Sequence, residues 1–414
     1  MKHLLILGGG TAGTMVANRL LHRLRVERDF WRLTVVDRDD RHLYQPGLLT
    51  VPFGAATPDQ LVRSRRRCLE PGVELVLGEV EGVDPARGRV HLEDGRVLPY
   101  DYLVVASGTS PRPDQTPGMA GDQWRRRVHE FYTPDGAVAL HRRLERWLGG
   151  RVVVHVTEMP IKCPVAPLEF TFLLDDALRR RGLRAGTELT YVTPLDGAFT
   201  QPVARERLGG MLDARGVRVR TDFVVDRVDD GRLVSVDDRE VPFDLLVTVP
   251  VNLGADFVAR SGMGDELQDV PVDPGTLMSR AHPGVFAVGD ATDVPTSKAG
   301  SVAHFEADVF ADNLVSYDRG RPMTRLYDGH ANCFVESGRG RALLLDFGYD
   351  AEPLPGRYPL PVVGPLSLLA ETRANHWAKA ATQRLYWNVL LHGRPVPIPS
   401  RAPRREPAAT RAAA

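Results

Sequence analysis

The stretch LLILGGGTAGTMVANRLLHRL, Leu4–Leu24, combines an apolar strand, a glycine-rich turn and a helical segment. Gly8, Gly10 and Gly13 match the spacing GxGxxG. In that motif the first glycine allows a tight turn, the second lets the backbone approach a pyrophosphate, and the third lets the helix pack on the strand. A second strand ends in Asp37, about 20 residues beyond the loop, where an acid can bind a ribose hydroxyl. The sequence therefore predicts a dinucleotide-binding Rossmann unit rather than a turn with a purely structural role.

Two later segments favour FAD as the dinucleotide. YDYLVVASGTSPRP, Tyr100–Pro113, is an apolar strand that breaks into small residues around Gly108. HPGVFAVGDATDVPTSKAG, His282–Gly300, is another strand, and it ends at Gly289 and Asp290. This order resembles that of flavoproteins with two dinucleotide-binding domains. The resemblance implies that the aspartate of this late GD pair binds the ribityl chain of FAD.

A helix is expected after the GD pair. Thr296 and Ser297 could cap a helix that runs through Ala303 and His304. Its positive end would favour negative charge on a reduced isoalloxazine. Lys298 could stabilise reduced flavin in the same way, although a solvated lysine is a common alternative.

A second Rossmann strand, GRVVVHV at Gly150–Val156, is followed by a loop without the glycine spacing. The loop includes MPIKCPVAPLE, Met159–Glu169, whose three prolines have no backbone N–H to offer a phosphate. Glu158 would also repel a pyrophosphate. We therefore expect that this unit keeps the Rossmann fold and has lost its NAD(P)H site.

The same loop presents Cys163 beside Lys162, shortly before a helix expected over Phe170–Arg181. A cationic neighbour or a helix N-terminus lowers the pKa of a thiol and favours the reactive thiolate. Glu169 is a candidate for proton handling or substrate steering. A lone cysteine is more often a buried apolar side chain, but a polar, proline-rich loop is an unusual place for one.

A second cysteine, Cys333, could meet Cys163 only through the fold. With its two cysteine motifs, the chain resembles the sulfide:quinone oxidoreductases over nearly its whole length. The motifs that carry this resemblance are the first glycine loop, LYQPG at 43–47, KCPVAPLE at 162–169, GDATDVPTSKAG at 289–300, NCFVESG at 332–338 and the C-terminal GPLSLLAETRANHWAKAATQRLYWNVLLHGR.

The resemblance implies a mechanism and a cofactor site. Cys163 and Cys333 would form a redox pair on one face of FAD, and hydrogen sulfide would attack their oxidised bridge. One sulfur would take up the substrate as a persulfide, and the other would donate electrons to the flavin. A quinone would then accept two electrons, and zero-valent sulfur would leave as polysulfide or on a small thiol. Tyr44, Gln45 and Pro46 would wall the flavin.

One departure from the family concerns a third cysteine. Many members carry it after the first FAD half, sometimes linked covalently to the flavin, but residues 108–150 contain none. We therefore expect non-covalent FAD. Cys68 does not match the missing position and is expected to be structural. His129 lies where relatives place substrate-channel groups, although a packing or surface histidine is the more common role.

The C-terminal region suggests contact with an anionic surface. From Leu366 onward there are eight Arg or Lys and two Glu, a net charge of +6 in a chain of zero net charge. The apolar run Leu385–Leu391 is too short to span a bilayer, but Trp377, Tyr386 and Trp387 suit a membrane interface. The expected role is a monotopic contact beside a quinone pocket. The alternative is a helix packed on the protein's own core or on a second subunit.

The N-terminal apolar run is too short for a signal-peptide core, so we expect a cytoplasmic protein that is peripheral on the membrane. No motif supports a nucleic-acid partner, and a homo-oligomer is left open. Helices between apolar strands predict an α/β fold with two Rossmann-like domains and parallel sheets. The expected divisions are a first FAD half at 1–115, a second Rossmann-like domain at 116–250, a second FAD half at 251–330, a C-terminal module at 331–398 and a disordered tail at 399–414.

Three other functions stay open from the sequence. The first is an NAD(P)H-dependent flavin dehydrogenase, against which the missing second glycine loop argues. The second is the flavoprotein subunit of a cytochrome-linked sulfide dehydrogenase, a type that is normally exported. The third is a non-catalytic flavin or persulfide sensor, which would bind FAD without turnover.

Overall fold

The computed structural model describes residues 1–24, 28–396 and 398–402. The α-helices are α1 (Thr11–Arg23), α2 (Pro134–Glu145), α3 (Ala166–Arg180), α4 (Pro202–Asp213), α5 (Asp256–Arg260), α6 (Gly300–Asp318) and α7 (Arg373–Leu385), with a π-helix at Tyr386–Leu390. Short 3-10 helices lie at Arg28–Phe30, Gln45–Phe53, Pro58–Leu61, Arg65–Arg67, Pro113–Gln115 and Gly289–Ala291.

The strands are β1 (Lys2–Leu7), β2 (Trp31–Asp37), β3 (Arg41–Leu43), β4 (Val62–Ser64), β5 (Val73–Leu77), β6 (Val80–Asp84), β7 (Arg89–Leu92), β8 (Val97–Pro99), β9 (Tyr102–Val105), β10 (Ser110–Arg112), β11 (Val128–His129) and β12 (Gly150–Val156). They continue as β13 (Thr187–Val192), β14 (Arg218–Arg220), β15 (Val225–Asp229), β16 (Arg232–Ser235), β17 (Glu240–Pro242), β18 (Leu245–Val249), β19 (Val251–Leu253), β20 (Val285–Ala287), β21 (Ala331–Gly338), β22 (Arg341–Phe347), β23 (Gly356–Tyr358) and β24 (Leu366–Leu368).

The first glycine loop follows the central strand of a five-stranded parallel sheet of order β20-β9-β1-β2-β5. In β1, Ile6 pairs with Val35 of β2 on one side and with Val104 of β9 on the other. All three side chains are fully buried, as expected for a parallel sheet covered on both faces. Strand order reverses between β1 and β9, so the loops that follow these strands flank the crevice in which such sheets bind ligands.

A second parallel sheet has the order β11-β18-β12-β13-β14. Its central strand β12 is the predicted second Rossmann strand, and the loop after it carries Cys163 and leads into α3. Strand order reverses between β12 and β18, so this loop occupies the same topological position as the first glycine loop. The prediction of an α/β fold with two parallel, Rossmann-like sheets is confirmed.

Several short strands extend the sheets beyond the segments that the sequence marks clearly. β5 joins the main sheet by pairing in parallel with β2, and the next three strands, β6, β7 and β8, form a separate antiparallel sheet. The proline-rich segment 353–365 contains β23, which pairs with β24. Short edge strands of this kind have too few residues for an alternation of apolar and polar side chains to be recognised.

The C-terminal sheet has the order β21-β22-β24-β23, and Cys333 lies on β21. The side-chain amide of Asn375 on α7 bonds to the carbonyls of Ala342 and Ser367, which ties this helix to the sheet. Within the described residues, no helix has both the length and the apolar character to cross a membrane. Most of the predicted disordered tail, residues 403–414, lies outside the described residues.

Candidate active site

The first glycine loop leaves an open space beside tightly packed backbone. Gly8 has a φ of +103°, and a Cβ there would lie 2.5 Å from the carbonyl oxygen of Ala106. A Cβ at Gly13 would lie 1.9 Å from the carbonyl oxygen of Gly8, whereas one at Gly10 would meet nothing within 4 Å. Helix α1 has no side-chain cap and no acid in its first turn. Its amide groups therefore face a cavity suited to a pyrophosphate.

Asp37 helps to hold this loop in place. Its carboxylate accepts a hydrogen bond of 2.7 Å from the amide of Gly9 and lies 3.1 Å from the guanidinium of Arg65. Arg65 is buried and also donates to the carbonyl oxygen of Gly9 at 2.9 Å. Sequence analysis missed Arg65, because nothing in the run RSRRRC distinguishes the arginine that turns inward. The ribose contact of Asp37 stays a prediction.

The GD pair packs against the first glycine loop. Gly289 has a φ of +68°, and a Cβ there would lie 2.8 Å from the Cβ of Ala12. Gly108, with a φ of +66°, faces open space on the other side of the crevice. Asp290 lies in the GD pair with its carboxylate 3.7 Å from the ammonium of Lys162. The three predicted loops therefore lie next to one another, and they fit FAD by their close backbone packing and open helix end.

The expected cap of α6 was wrong. The helix begins at Gly300 without a side-chain cap or an acid in its first turn. The Thr296 hydroxyl instead donates to the carbonyl of Gly329 at 2.7 Å, and the Ser297 hydroxyl lies 4.0 Å from the sulfur of Cys333. The uncapped amide groups leave a positive helix end for an electron-rich ligand.

The ammonium of Lys298 forms three hydrogen bonds next to the GD pair. Its ammonium donates to the carboxylate of Asp269 at 2.5 Å and to the carbonyls of Asp290 and Thr292 at 2.8 and 3.1 Å. These three acceptors satisfy the donors of the ammonium, so its contact with the cofactor stays a prediction. Gln45 and Pro46 are exposed at the start of a 3-10 helix, and their place beside the flavin also stays a prediction.

Cys163 has a constrained backbone. Its φ is +51°, a left-handed conformation that costs a non-glycine residue about 1–2 kcal/mol. The amide of Cys163 donates to the carbonyl of Lys298 at 2.7 Å, and its carbonyl accepts from Ala166 at 2.8 Å. Helix α3 begins at Ala166, earlier than the sequence predicted. Strain of this kind is concentrated at functional sites.

The prediction that Lys162 lowers the pKa of Cys163 was wrong. The ammonium of Lys162 points away, donating to the carbonyl of Thr109 at 2.8 Å and facing Asp290. Burial raises the pKa of the Cys163 thiol well above its usual value, and the nearby Cys333 adds to the effect. Both cysteines are free thiols in the structure, and burial favours the neutral thiol of Cys163 over its thiolate.

The structure brings the two cysteine motifs to one place. Cys333 is buried on β21, and burial raises the pKa of its thiol to about 11. The segment Ser297–Lys298 contacts both cysteines, by the Ser297 hydroxyl on one side and the Lys298 carbonyl on the other. This juxtaposition permits a redox pair, although the pairing itself stays a prediction.

Glu169 lies in the first turn of α3 and forms a buried ion pair with Lys379 of α7. Burial raises the pKa of Glu169, and the ammonium of Lys379 opposes that shift. The ammonium also donates to the carbonyl of Phe334, next to Cys333, at 3.3 Å. Sequence analysis did not identify Lys379 as a site residue, because only the fold places α7 beside α3.

Two C-terminal aromatic residues do not face a membrane. The hydroxyl of Tyr386 lies 2.7 Å from a ring nitrogen of His42 and 2.8 Å from the hydroxyl of Thr11 in the first glycine loop. Trp387 is buried under the guanidinium of Arg63, 4.5 Å from its ring centre. The prediction that both residues lie at a membrane interface was therefore wrong, because the π-helix directs their side chains toward the FAD-type domain. Trp377 is exposed.

The remaining sequence candidates lie in the core. His129 is buried on β11, and burial lowers the pKa of its imidazole to about 4. Cys68 is buried with its sulfur 3.5 Å from the carbonyl of Ser64, and burial raises the pKa of its thiol to about 11. Both environments suit packing roles.

Known proteins share this architecture. Residues 2–154 match the family described as pyridine nucleotide-disulphide oxidoreductase. The mitochondrial sulfide:quinone oxidoreductase of Mus musculus is 25% identical, over 94% of this chain and 86% of that protein. Its counterpart from Schizosaccharomyces pombe is 27% identical, over 84% of this chain and 81% of that protein. This chain is thus similar to sulfide:quinone oxidoreductases over most of its length.

The fold of these homologues is also shared. The crystal structure of the sulfide:quinone oxidoreductase of Aquifex aeolicus superposes with a TM-score of 0.77 at 19% identity, covering 95% of this chain and 92% of that one. The protein is thus an oxidoreductase of the flavoprotein type, with FAD as its cofactor. The glycine loops around Gly8, Gly108 and Gly289 are the parts of this chain that would hold FAD.

Proposed function

We propose that this protein oxidises hydrogen sulfide to zero-valent sulfur and passes two electrons through FAD to a membrane quinone. The observation that carries the proposal is the gathering of Cys163, Cys333 and Glu169 where a second nucleotide loop would otherwise lie. Homology to sulfide:quinone oxidoreductases supports the same substrates.

The sulfur step uses the two cysteines as an oxidised pair. Hydrosulfide attacks one sulfur of a Cys163–Cys333 bridge, so that a new S–S bond forms and the bridge breaks. The other cysteine leaves as a thiolate that holds the electron pair. FAD, when bound non-covalently in its cavity, supplies a two-electron carrier between this thiolate and the quinone. A small thiolate or a polysulfide takes the outer sulfur of the persulfide, so that this S–S bond breaks and a second thiolate is left. Loss of two electrons from the two thiolates re-forms the Cys163–Cys333 bridge.

Glu169 suits proton exchange in this step. Its carboxyl group is buried beside both thiols, and its raised pKa brings it closer to neutral pH than an exposed glutamate. The ion pair with Lys379 keeps the group in place when it is ionised. Glu169 can therefore hold or release a proton as sulfide adds and sulfur leaves.

The second sheet argues against NAD(P)H as electron donor. A cleft of about 320 Å³ lies at the ends of its strands, and its lining includes Glu158 and Asp226. Carboxylates repel a pyrophosphate, and the prolines at 160, 164 and 167 remove backbone donors from the loop. An NAD(P)H-dependent flavin dehydrogenase is the second candidate, favoured only by the presence of this cleft.

A peripheral contact with the cytoplasmic face of a membrane would bring the protein to its quinone. The loop between β23 and β24 exposes Leu360, Val362 and Val363, and Trp377 is exposed on α7, the helix bonded to β24. Arg373 is exposed at the start of the same helix. Apolar and basic side chains together favour binding at an anionic bilayer surface.

The decisive experiment is anaerobic reduction of the FAD-loaded protein. Sulfide should bleach the flavin absorbance, a soluble quinone should restore it, and NADH should leave it unchanged. Bleaching by NADH alone would overturn the proposal in favour of the second candidate. Restoration by cytochrome c but not by quinone would indicate the cytochrome-linked type, and bound FAD that reacts with no donor would indicate a sensor.

A further inference from the structure

We propose that Glu169, Lys379, Glu336 and His376 form a proton path between the cysteine site and the protein surface. The path serves the reaction proposed above, and its role in turnover rests on that proposed function. Its geometry depends on three elements, α3, β21 and α7, which are joined by the Glu169–Lys379 pair and by the hydrogen bond from Lys379 to Phe334.

Direct contacts link the inner half of the path. Glu169 pairs with the ammonium of Lys379. Burial raises the pKa of its carboxyl, and the ammonium and the nearby backbone of Glu336 oppose that rise. The ammonium of Lys379 donates in addition to the carbonyl of Phe334, two residues before Glu336. Glu169 is therefore joined to both β21 and α7.

The outer half is a second ion pair. Both carboxylate oxygens of Glu336 lie 2.9 Å from the Nδ1 atom of His376. His376 and Lys379 are three residues apart on α7, a spacing that puts side chains on one helix face with Cβ atoms about 5–6 Å apart. The two pairs are thus neighbours on one face of α7, and the carboxylate of Glu336 adds to the effect of burial in raising the pKa of Glu169.

The two ends of the path differ in exposure. The side chain of Glu169 is 3% exposed, that of Glu336 15%, that of Lys379 24% and that of His376 31%. The sequence of groups therefore starts in the enclosed cysteine site and ends where solvent can exchange a proton with imidazole. Imidazole is well suited to that exchange because its usual pKa lies near neutral pH.

Charge along the path is balanced. Two carboxylates alternate with two basic groups, so a proton can move without leaving an isolated buried charge. The other titratable groups facing Glu169 are Cys163 and Cys333, together with the buried phenols of Tyr44 and Tyr132. These groups are uncharged when protonated and do not compete as ion-pair partners.

The proposed reaction needs such a path. Hydrosulfide, one proton and quinone give zero-valent sulfur and quinol, so each turnover takes up one proton from solvent. Sulfide brings one proton and two electrons, whereas quinol formation consumes two protons. Because both thiols and Glu169 are buried, a proton that reaches the flavin from the cysteine side has to be conducted inward.

Replacing the outer end gives the main test. His376→Ala should lower steady-state turnover about tenfold or more, within the range for loss of a proton-transfer group, while FAD content stays unchanged. Added imidazole should restore turnover in a concentration-dependent manner. The rate of the variant should also fall more steeply than that of the wild type as pH rises, because direct proton supply from water weakens.

A matched control is His141 on α2. Its side chain is 34% exposed and lies 3.6 Å from Glu145, so it is also a partly exposed histidine beside a carboxylate. His141→Ala should show wild-type turnover without an imidazole effect. A second variant, Glu336→Gln, should reproduce the His376→Ala defect but resist imidazole, since the interruption lies further inside. Wild-type turnover in His376→Ala, or an equal imidazole effect in His141→Ala, would overturn the path.

The two proposals can fail separately. FAD can be photoreduced without sulfide and reoxidised by soluble quinone, with proton uptake followed by an indicator dye. If sulfide does not reduce the flavin of the wild type but quinone reoxidises the photoreduced flavin, the sulfide function is overturned. Slow, imidazole-dependent proton uptake in His376→Ala would then still support the path. If the wild type reacts with neither, both proposals are overturned.

Discussion

Two loops of this molecule occupy equivalent positions and differ in chemistry. The loop after β1 and the loop after β12 each follow the central strand of a parallel sheet, lie at its switch point and lead into a helix. The first is built from glycines and presents amide groups to open space. The second contains Pro160, Pro164 and Pro167, and its Cys163 has a left-handed backbone.

The difference shows that topology fixes where a site lies, whereas the local residues decide what it binds. A phosphate cradle needs free backbone N–H groups and room for a pyrophosphate. Proline has no backbone N–H, and its ring fills space beside the backbone. The second loop instead carries a buried thiol, and the helix that follows it carries a buried carboxylate. One architecture thus gives a cofactor site at one loop and a site suited to sulfur chemistry at the other.

The largest expected effect comes from the second loop. Cys163→Ser or Cys333→Ser should lower sulfide-dependent quinone reduction by at least about 10³-fold, because a hydroxyl cannot form the sulfur bridge. Both variants should keep FAD, as judged by the flavin spectrum. Cys68→Ser is the control and should retain activity. Wild-type-like turnover in either active-site variant would remove the proposed distinction between the loops.

The first loop offers a pair of glycines with opposite expectations. Gly13→Ala should destabilise the fold by about 3 kcal/mol, because its Cβ would collide with the carbonyl of Gly8. Gly10→Ala should leave the unfolding midpoint of the apoprotein unchanged, since nothing lies within 4 Å of its Cβ. It should instead weaken FAD binding. Equal FAD affinity in Gly10→Ala and wild type would contradict the assigned cradle.

A pH effect is expected from Glu306, which accepts the amide hydrogen of Gly289 beside the first loop. Burial raises the pKa of this carboxyl from 4.5 to about 8. The folded state therefore retains a proton that the unfolded chain loses, so stability is complete below pH 4.5 and declines toward pH 8. The decline should be about 1 kcal/mol per pH unit.

Glu306→Gln provides the comparison, because glutamine keeps an acceptor for Gly289 and cannot ionise. Its denaturant midpoint should vary less with pH across the same interval. A variant with the same pH dependence as the wild type would show that another group is responsible.

The smallest expected effect concerns the contact between the C-terminal module and the first loop. Tyr386→Phe removes the hydroxyl that bonds to His42 and Thr11. The loss should be about 1–2 kcal/mol in the free energy of unfolding, typical of a buried hydrogen-bonded hydroxyl. Trp377→Ala, at an exposed position of α7, should change stability by less than about 0.5 kcal/mol. Equal effects of the two variants would contradict the buried role of Tyr386.

Much of the fold was predictable because its signals are local. Strand β1, the glycine spacing and the following helix lie within one stretch, and the run of apolar residues at Gly150–Val156 is equally plain. The paired edge strands were not predictable in the same way. β5 and β23 depend on partners, β2 and β24, that only the folded chain places beside them.

The sequence by itself determined the two Rossmann units, the glycine loops and the proline-rich composition of the loop after β12, because those properties depend on neighbouring residues. Only the tertiary structure decided that Lys162 turns away from Cys163, that Lys379 pairs with Glu169, and that Tyr386 is buried. The physical reason is that burial and charge pairing depend on atoms brought together from distant parts of the chain. A thiol that the sequence predicts to be acidic therefore becomes a weak acid once the fold encloses it.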